Sequence, residues 1–145
     1  LAENGGFDVI IHGCNCFNAM GAGIARQIAI RFPEARDVDS ATLRGSTEKL
    51  GKITAAKIGD LLVGNAYTQY GISNGTDVFE YGALRSALYE VVVALKKIGA
   101  DPKNARIGSP MIGCGLARGD PERIIKIIFD WSTNLDVTIV TLPEN

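Results

Sequence analysis

The sequence has one histidine, one tryptophan and three cysteines, and no continuous apolar run approaches the roughly 18 residues that a membrane span requires. Three thiols make an odd number for a disulfide framework, and a chain this long can build a core without covalent staples. No charged-then-apolar leader opens it, so a reducing, cytoplasmic setting is expected. Charge of one sign is also missing. Fifteen Lys plus Arg face sixteen Asp plus Glu, a net −1, which leaves no basic excess to hold a nucleic-acid polymer by its backbone. With 46% apolar and 21% charged residues the chain is not a disordered tail. No composition break, low-complexity tract or repeat divides it, so residues 1–145 are expected to form a single domain. Glycine is the one abundant outlier, at 17 residues, where average usage supplies about ten.

Short β-rich apolar runs alternate with segments of helical period, which is the pattern of an α/β fold. Phe7 to Cys14 reads as a strand buried on both faces. Ile24, Ile28 and Phe32 recur every four positions on a helix from Gly21 to Phe32 that stops before Pro33, and a second short helix is expected within Glu34 to Gly45. Strands at Ile53–Ile58 and Leu61–Thr68 flank the turn signal Gly59-Asp60, a hairpin that makes the sheet mixed. Leu84, Leu88, Val91, Val92 and Leu95 stripe a long helix from Tyr81 to Lys97, closed by Gly99. A strand is expected at Ile107–Ile112. A helix follows with Asp120 as its cap, Pro121 at its start and Ile124, Ile125, Ile128 and Trp131 on its buried face. A fifth strand, Val137–Leu142, completes a sheet with helices on both sides.

Two glycine clusters share the context strand, loop, helix: Gly21-Ala22-Gly23-Ile24 after Asn18-Ala-Met, and Gly113-Cys114-Gly115-Leu116 running on to Gly119. Glycine lets backbone N–H groups approach an anion, and the following helix N-terminus favours negative charge. The alternative, glycines that serve only tight turns and close packing, is weakened when two clusters face one crevice, where a ligand with two phosphates would fit. Neither loop ends in the Gly-Lys-Ser/Thr of a triphosphate P-loop, and Arg26 stands where a dinucleotide fingerprint needs its last glycine.

Asn15, just past the first strand, offers donor and acceptor to a sugar diol or else caps its own loop. His12, the sole imidazole, is either a proton carrier or a packed strand residue. His12, Cys14 and Cys16 share one side of an extended strand, yet too few further ligands exist to complete a zinc set; packing is the reading preferred and no metal is expected. Tyr67, Thr68, Gln69 and Tyr70 end a strand at the same rim, where the aromatics either stack on a base or sugar or bury their rings. The Gly71 to Gly75 stretch beyond them suits a cover loop.

With these pieces assembled, the chain resembles the macro domain family. Ile10-Ile-His-Gly-Cys-Asn15 with Met20-Gly-Ala-Gly-Ile-Ala25 is similar to the family's first-loop motif, and Pro110-Met-Ile-Gly-Cys-Gly-Leu116 to its second. The resemblance runs over nearly the whole chain. It implies a three-layer α/β/α domain with a mixed central sheet, here without a counterpart of the family's usual first strand and of the Gly-Asp pair whose carboxylate meets adenine. It also implies that Gly21, Ala22, Gly23 and Ile24 wrap one side of the diphosphate and distal ribose of ADP-ribose, that Gly113, Cys114, Gly115 and Leu116 wrap the other, and that Asn15 meets the distal ribose. Thr68 and Gln69 complete the expected ligand-binding set.

The nearest branch contains ADP-ribose-1''-phosphate phosphatases and ADP-ribosyl glycohydrolases. Glycohydrolases of that branch carry a lysine where this chain has Gln69 and an aspartate where it has Ala117. An uncharged amide cannot attack an anomeric carbon, so covalent glycohydrolysis is the weakest reading. The expectation is a phosphatase acting on ADP-ribose-1''-phosphate with Asn15 and His12 at the reaction centre and no cofactor. The alternative is a module that reads ADP-ribose, free or on ADP-ribosylated macromolecules, without turnover.

Overall fold

The computed structural model describes residues 6–71, 78–113 and 118–140. Among these residues five strands form one mixed sheet, flanked by four α-helices: β1 Val9–Cys14, α1 Gly23–Arg31, α2 Pro33–Ser40, β2 Ile53–Ile58, β3 Leu61–Tyr67, α3 Tyr81–Lys97, β4 Arg106–Ser109, α4 Pro121–Trp131 and β5 Asp136–Ile139. The strand order is β2-β3-β1-β4-β5. Strand β1 is central and parallel to both β3 and β4, β4 is parallel to β5, and β2 pairs antiparallel with β3 across the Gly59-Asp60 turn.

Strand alternation builds two cores from one sheet. Val9, Ile11 and Leu62 face α3 and α4, where Leu84, Leu88, Val91, Leu95, Ile124, Ile127 and Ile128 close over them. Ile10 and Val63 face the other way, against Met20, Ile28, Phe32 and Ala35 of the α1–α2 layer. The expected three-layer arrangement is therefore present. No helix among the described residues is long and apolar enough to cross a membrane.

Several element boundaries differ from expectation for local reasons. Strand β4 stops at Ser109 because Pro110 has no N–H to continue the ladder; Ile112, expected at its end, instead enters the core beyond the strand. Helix α1 starts at Gly23 rather than Gly21, and α2 ends at Ser40, with Pro33 in its first turn. On α4 the buried stripe is Ile124, Ile127 and Ile128, while Ile125 is 51% exposed: a residue one step from Ile124 lies about 100° around the helix from it. Strand β5 begins at Asp136, and residues 141–142 of its expected span lie outside the described residues.

Candidate crevice at the carboxyl edge of the sheet

Because β1, β3 and β4 run parallel, their carboxyl ends lie on one edge of the sheet. The chain leaves β1 toward β2 and β3 through one helical layer and returns from β3 to β4 through the other, so this edge is where the winding reverses, the usual place for a ligand crevice. From here start the loop between β1 and α1 and the loop between β4 and α4. Among the described residues, concavities of 310 and 490 Å³ lie around Asp8 and Asp60 at the opposite ends of the strands. There Asp8 is occupied by Arg106, which donates to it through its backbone N–H (2.8 Å) and guanidinium (3.1 Å) and holds its carboxyl below the usual range.

The first loop is folded by its own side chains. Asn15 Oδ1 accepts the Phe17 N–H at 2.8 Å, and Asn15 Nδ2 donates to the Ala19 carbonyl at 3.0 Å. Asn15 therefore caps its loop, yet one amide hydrogen and one lone-pair direction are left for a ligand, so the capping role does not exclude the sugar-binding one. Gly21, Ala22 and Gly23 follow, all exposed. Gly23 has φ +58, a left-handed conformation, and a Cβ there or at Gly21 would meet nothing within 4 Å. Helix α1 then opens with Ala22 at its N-cap, no side chain accepting from its first amides and no acidic residue in its first turn. Helix α4 differs: its Asp120 cap accepts from Glu122 N–H at 3.1 Å. The first amides of α1 are thus left without an acceptor among the described residues, the arrangement that suits an anion.

Of the second loop, Cys114, Gly115 and Leu116 lie outside the described residues; its base does not. The Gly119 N–H donates to the Gly113 carbonyl at 2.7 Å and closes the loop on itself. Gly113 has φ +79, and a Cβ there would collide with the Phe79 ring, so only glycine fits. Phe79 is edge-on to Tyr81 (centroids 5.1 Å), Arg123 lies 3.8 Å over the Tyr81 ring, and Tyr81 Oη accepts the Asp120 N–H at 2.9 Å. This column of rings braces the loop and the start of α4. The sequence reading missed Phe79, whose only local mark is an aromatic just upstream of a helix.

His12 requires a correction. It is fully buried, its Nε2 donates to Asn65 Oδ1 at 2.6 Å, and desolvation pulls its pKa down to about 4. Asn65 donates in turn to the Ala35 carbonyl (2.9 Å) and to Thr54 Oγ1 (3.0 Å), Thr54 lies 2.9 Å from Tyr67 Oη, and Tyr67 donates to the buried Asp39 carboxylate at 2.7 Å. This burial and bonding favour the packed strand residue over the proton carrier. The Cys14 thiol, 3.8 Å from His12 Nδ1, is pushed well up by burial. Cys14, Cys16 and Tyr67 form a small buried cluster, and no group of three His, Cys, Asp or Glu among the described residues is placed to hold a metal ion.

At the end of β3, Tyr67 is buried and not at the rim, whereas Tyr70 is partly exposed and packs edge-on against Phe17 with centroids 4.9 Å apart. Thr68 is buried with its hydroxyl unpartnered, and Gln69 turns its amide to the Gly71 carbonyl at 2.9 Å. Residues 72–75 of the suggested cover loop lie outside the described residues.

No family model matches the sequence. The chain is 33% identical over 137 residues, 90% of its length and 84% of the other's, to an uncharacterized 17.5 kDa protein from the tk-vs intergenic region of Enterobacteria phage T4. It is 31% identical over 104 residues to an ADP-ribose 1''-phosphate phosphatase of Candida glabrata, of which it spans 58%. Among solved structures, a Bacteroides thetaiotaomicron protein of unknown function superposes with TM-score 0.78 at 26% identity, covering 96% of this chain and 90% of that one. The macrodomain of Mycobacterium tuberculosis DarG gives 0.73 at 17% identity over 94% and 90%. Thermosipho africanus DarTG, solved with ADP-ribose, gives 0.72 at 19% over 94% of this chain and 40% of that one.

Proposed function

This chain belongs to the macro domain family, and from that premise we propose that its crevice binds ADP-ribose and hydrolyses the terminal phosphate of ADP-ribose-1''-phosphate. The observation that carries the reading is the uncapped start of α1, exposed and clear of side chains from Gly21 to Gly23, on the same sheet edge as the loop closed between Gly113 and Gly119. Backbone amides aimed at one place are a preorganised anion site. They need no basic side chains, which agrees with a chain of net charge −1.

In this reading the amides of Gly21 to Ile24 take one face of the diphosphate, and the second loop, with Gly113, Cys114, Gly115 and Leu116, takes the other. The unused hydrogen and lone pair of Asn15 orient the distal ribose. Water attacks the terminal phosphorus. A new P–O bond forms, the bond from phosphorus to the ribose oxygen breaks, and the products are inorganic phosphate and ADP-ribose with a hydroxyl at that carbon. The attacking water's proton passes, directly or through solvent, to the departing ribose oxygen, and the rate gain comes from positioning and fixed dipoles. His12, neutral and sealed off, has no part in it.

That same burial favours a second reading, a module that holds ADP-ribose, free or on modified macromolecules, without turnover. Calorimetric titration with ADP-ribose followed by a phosphate-release assay on ADP-ribose-1''-phosphate decides. Binding with release supports the phosphatase, binding alone supports the reader, and no uptake at millimolar ADP-ribose removes both.

A further inference from the structure

Lysine is almost never fully buried without partners, because its ammonium is strongly hydrated. Lys49, last residue of the short 3₁₀ turn Thr47–Lys49, is only 8% exposed. Its Nζ donates to the Cys16 carbonyl at 3.0 Å and to Asn18 Oδ1 at 2.6 Å, and it lies 5.0 Å from the centre of the Tyr67 ring. No described carboxylate forms an ion pair with it. The nearest compensation passes through Tyr67, whose hydroxyl donates to the buried Asp39. An ammonium has three hydrogens. Here two go to oxygens of a single loop, and an aromatic face covers the cation.

Both oxygens belong to the loop that carries Asn15 and leads into Gly21–Ile24. The Cys16 carbonyl also accepts the Gly45 N–H at 2.7 Å, and Asn18 Nδ2 donates to the Thr42 carbonyl at 2.9 Å. Asn18 has φ +56, a left-handed conformation that costs a non-glycine residue energy and persists only where its surroundings hold it. Those surroundings are Lys49 and the 42–45 segment. We infer that Lys49 is a positioning residue: through Cys16 and Asn18 it fixes the conformation of the loop that presents Asn15 and the α1 amides to the ligand. The role rests on the ADP-ribose reading for its consequence, though not for its geometry.

The test pairs amide hydrogen exchange with ADP-ribose titration on the full chain, for wild type, Lys49→Met and Asn18→Gly. Asn18→Gly keeps the left-handed backbone accessible while removing the acceptor. Both variants should speed exchange at Phe17 and Gly45 at least tenfold while Ile11 and Val63 keep their protection, and both should weaken ADP-ribose binding about tenfold. The double variant should be no worse than either single. Leu95→Ala, a core change far from the loop, should lower the melting temperature without altering the affinity of the folded protein. Unchanged exchange at Phe17 and Gly45 overturns the inference, as does a loosened loop with unchanged affinity. Should Lys49→Met fail to fold, Asn18→Gly decides by the same two readouts. Should wild type take up no ADP-ribose, the function proposed above fails, and the exchange arm alone decides whether Lys49 orders the loop.

Discussion

His12 and Asn65, neighbours across parallel strands β1 and β3, are joined by a 2.6 Å hydrogen bond from Nε2 to Oδ1 in a site closed to solvent. Burial holds the only imidazole in its neutral form: the bond to Asn65 favours the charged ring, but one neutral amide acceptor does not return the desolvation that charging costs.

The sign of the resulting pH dependence is fixed. His12 has a folded pKa of about 4, below its ordinary 6.5, so the unfolded chain binds the proton more readily and stability falls as pH drops from 6.5 toward 4. Between pH 7 and pH 5 the loss attributable to this group is about 2 kcal/mol. Urea titrations at the two pH values should show it. His12→Gln, less stable at pH 7, should lose most of the slope, and a slope that survives in this variant assigns the effect to other groups.

Gly21 and Gly113 should separate ligand space from backbone demand. Gly113→Ala introduces a Cβ against the Phe79 ring at φ +79, and a cost of about 2–3 kcal/mol is expected in chemical unfolding. Gly21→Ala meets nothing within 4 Å and should leave stability within about 0.5 kcal/mol. It should nevertheless weaken ADP-ribose binding several-fold in calorimetry. Equal affinities would mean that the ligand does not approach Gly21.

Asn15→Ala removes the hydrogen bonds to Phe17 and Ala19, and stability should fall by about 1–2 kcal/mol. If Asn15 also orients the distal ribose, phosphate release from ADP-ribose-1''-phosphate should drop by more than tenfold at saturating substrate. A stability loss with unaltered turnover would reduce Asn15 to a loop cap.

Tyr67→Phe deletes the hydroxyl that bridges Thr54 and the buried Asp39 carboxylate. Leaving that oxygen without its donor should cost about 1–3 kcal/mol, read as a lowered urea midpoint at unchanged m-value. Tyr67→Phe together with Asp39→Asn should cost less than the sum of the two, since in the pair the lost hydroxyl strands a neutral amide rather than a buried carboxylate.

Local chemistry made much of the architecture legible. The Val9–Cys14 run, the Leu84–Leu95 stripe, the Gly59-Asp60 turn and the Asp120-Pro121 helix start each act over a few neighbouring residues, so they can be read without knowing the fold. Pro110 was equally readable as the end of β4, and Ile125 as lying off its helix's buried stripe, but apolar character alone suggested otherwise. The paired glycine loops could be assigned to one edge of the sheet because strand, loop and helix follow one another directly in the chain.

The fates of His12 and Lys49 have a different origin. Nothing near His12 in the chain indicates Asn65, 53 residues on, and nothing near Lys49 indicates Asn18, 31 residues back. By itself the sequence determined that this is an α/β chain with two glycine loops on one sheet edge, since period, turn chemistry and helix caps are short-range effects. Only the tertiary structure decided that the histidine is a neutral core residue and the lysine a buried brace. Burial and the partners that make it tolerable arise when distant segments close over the same side chain.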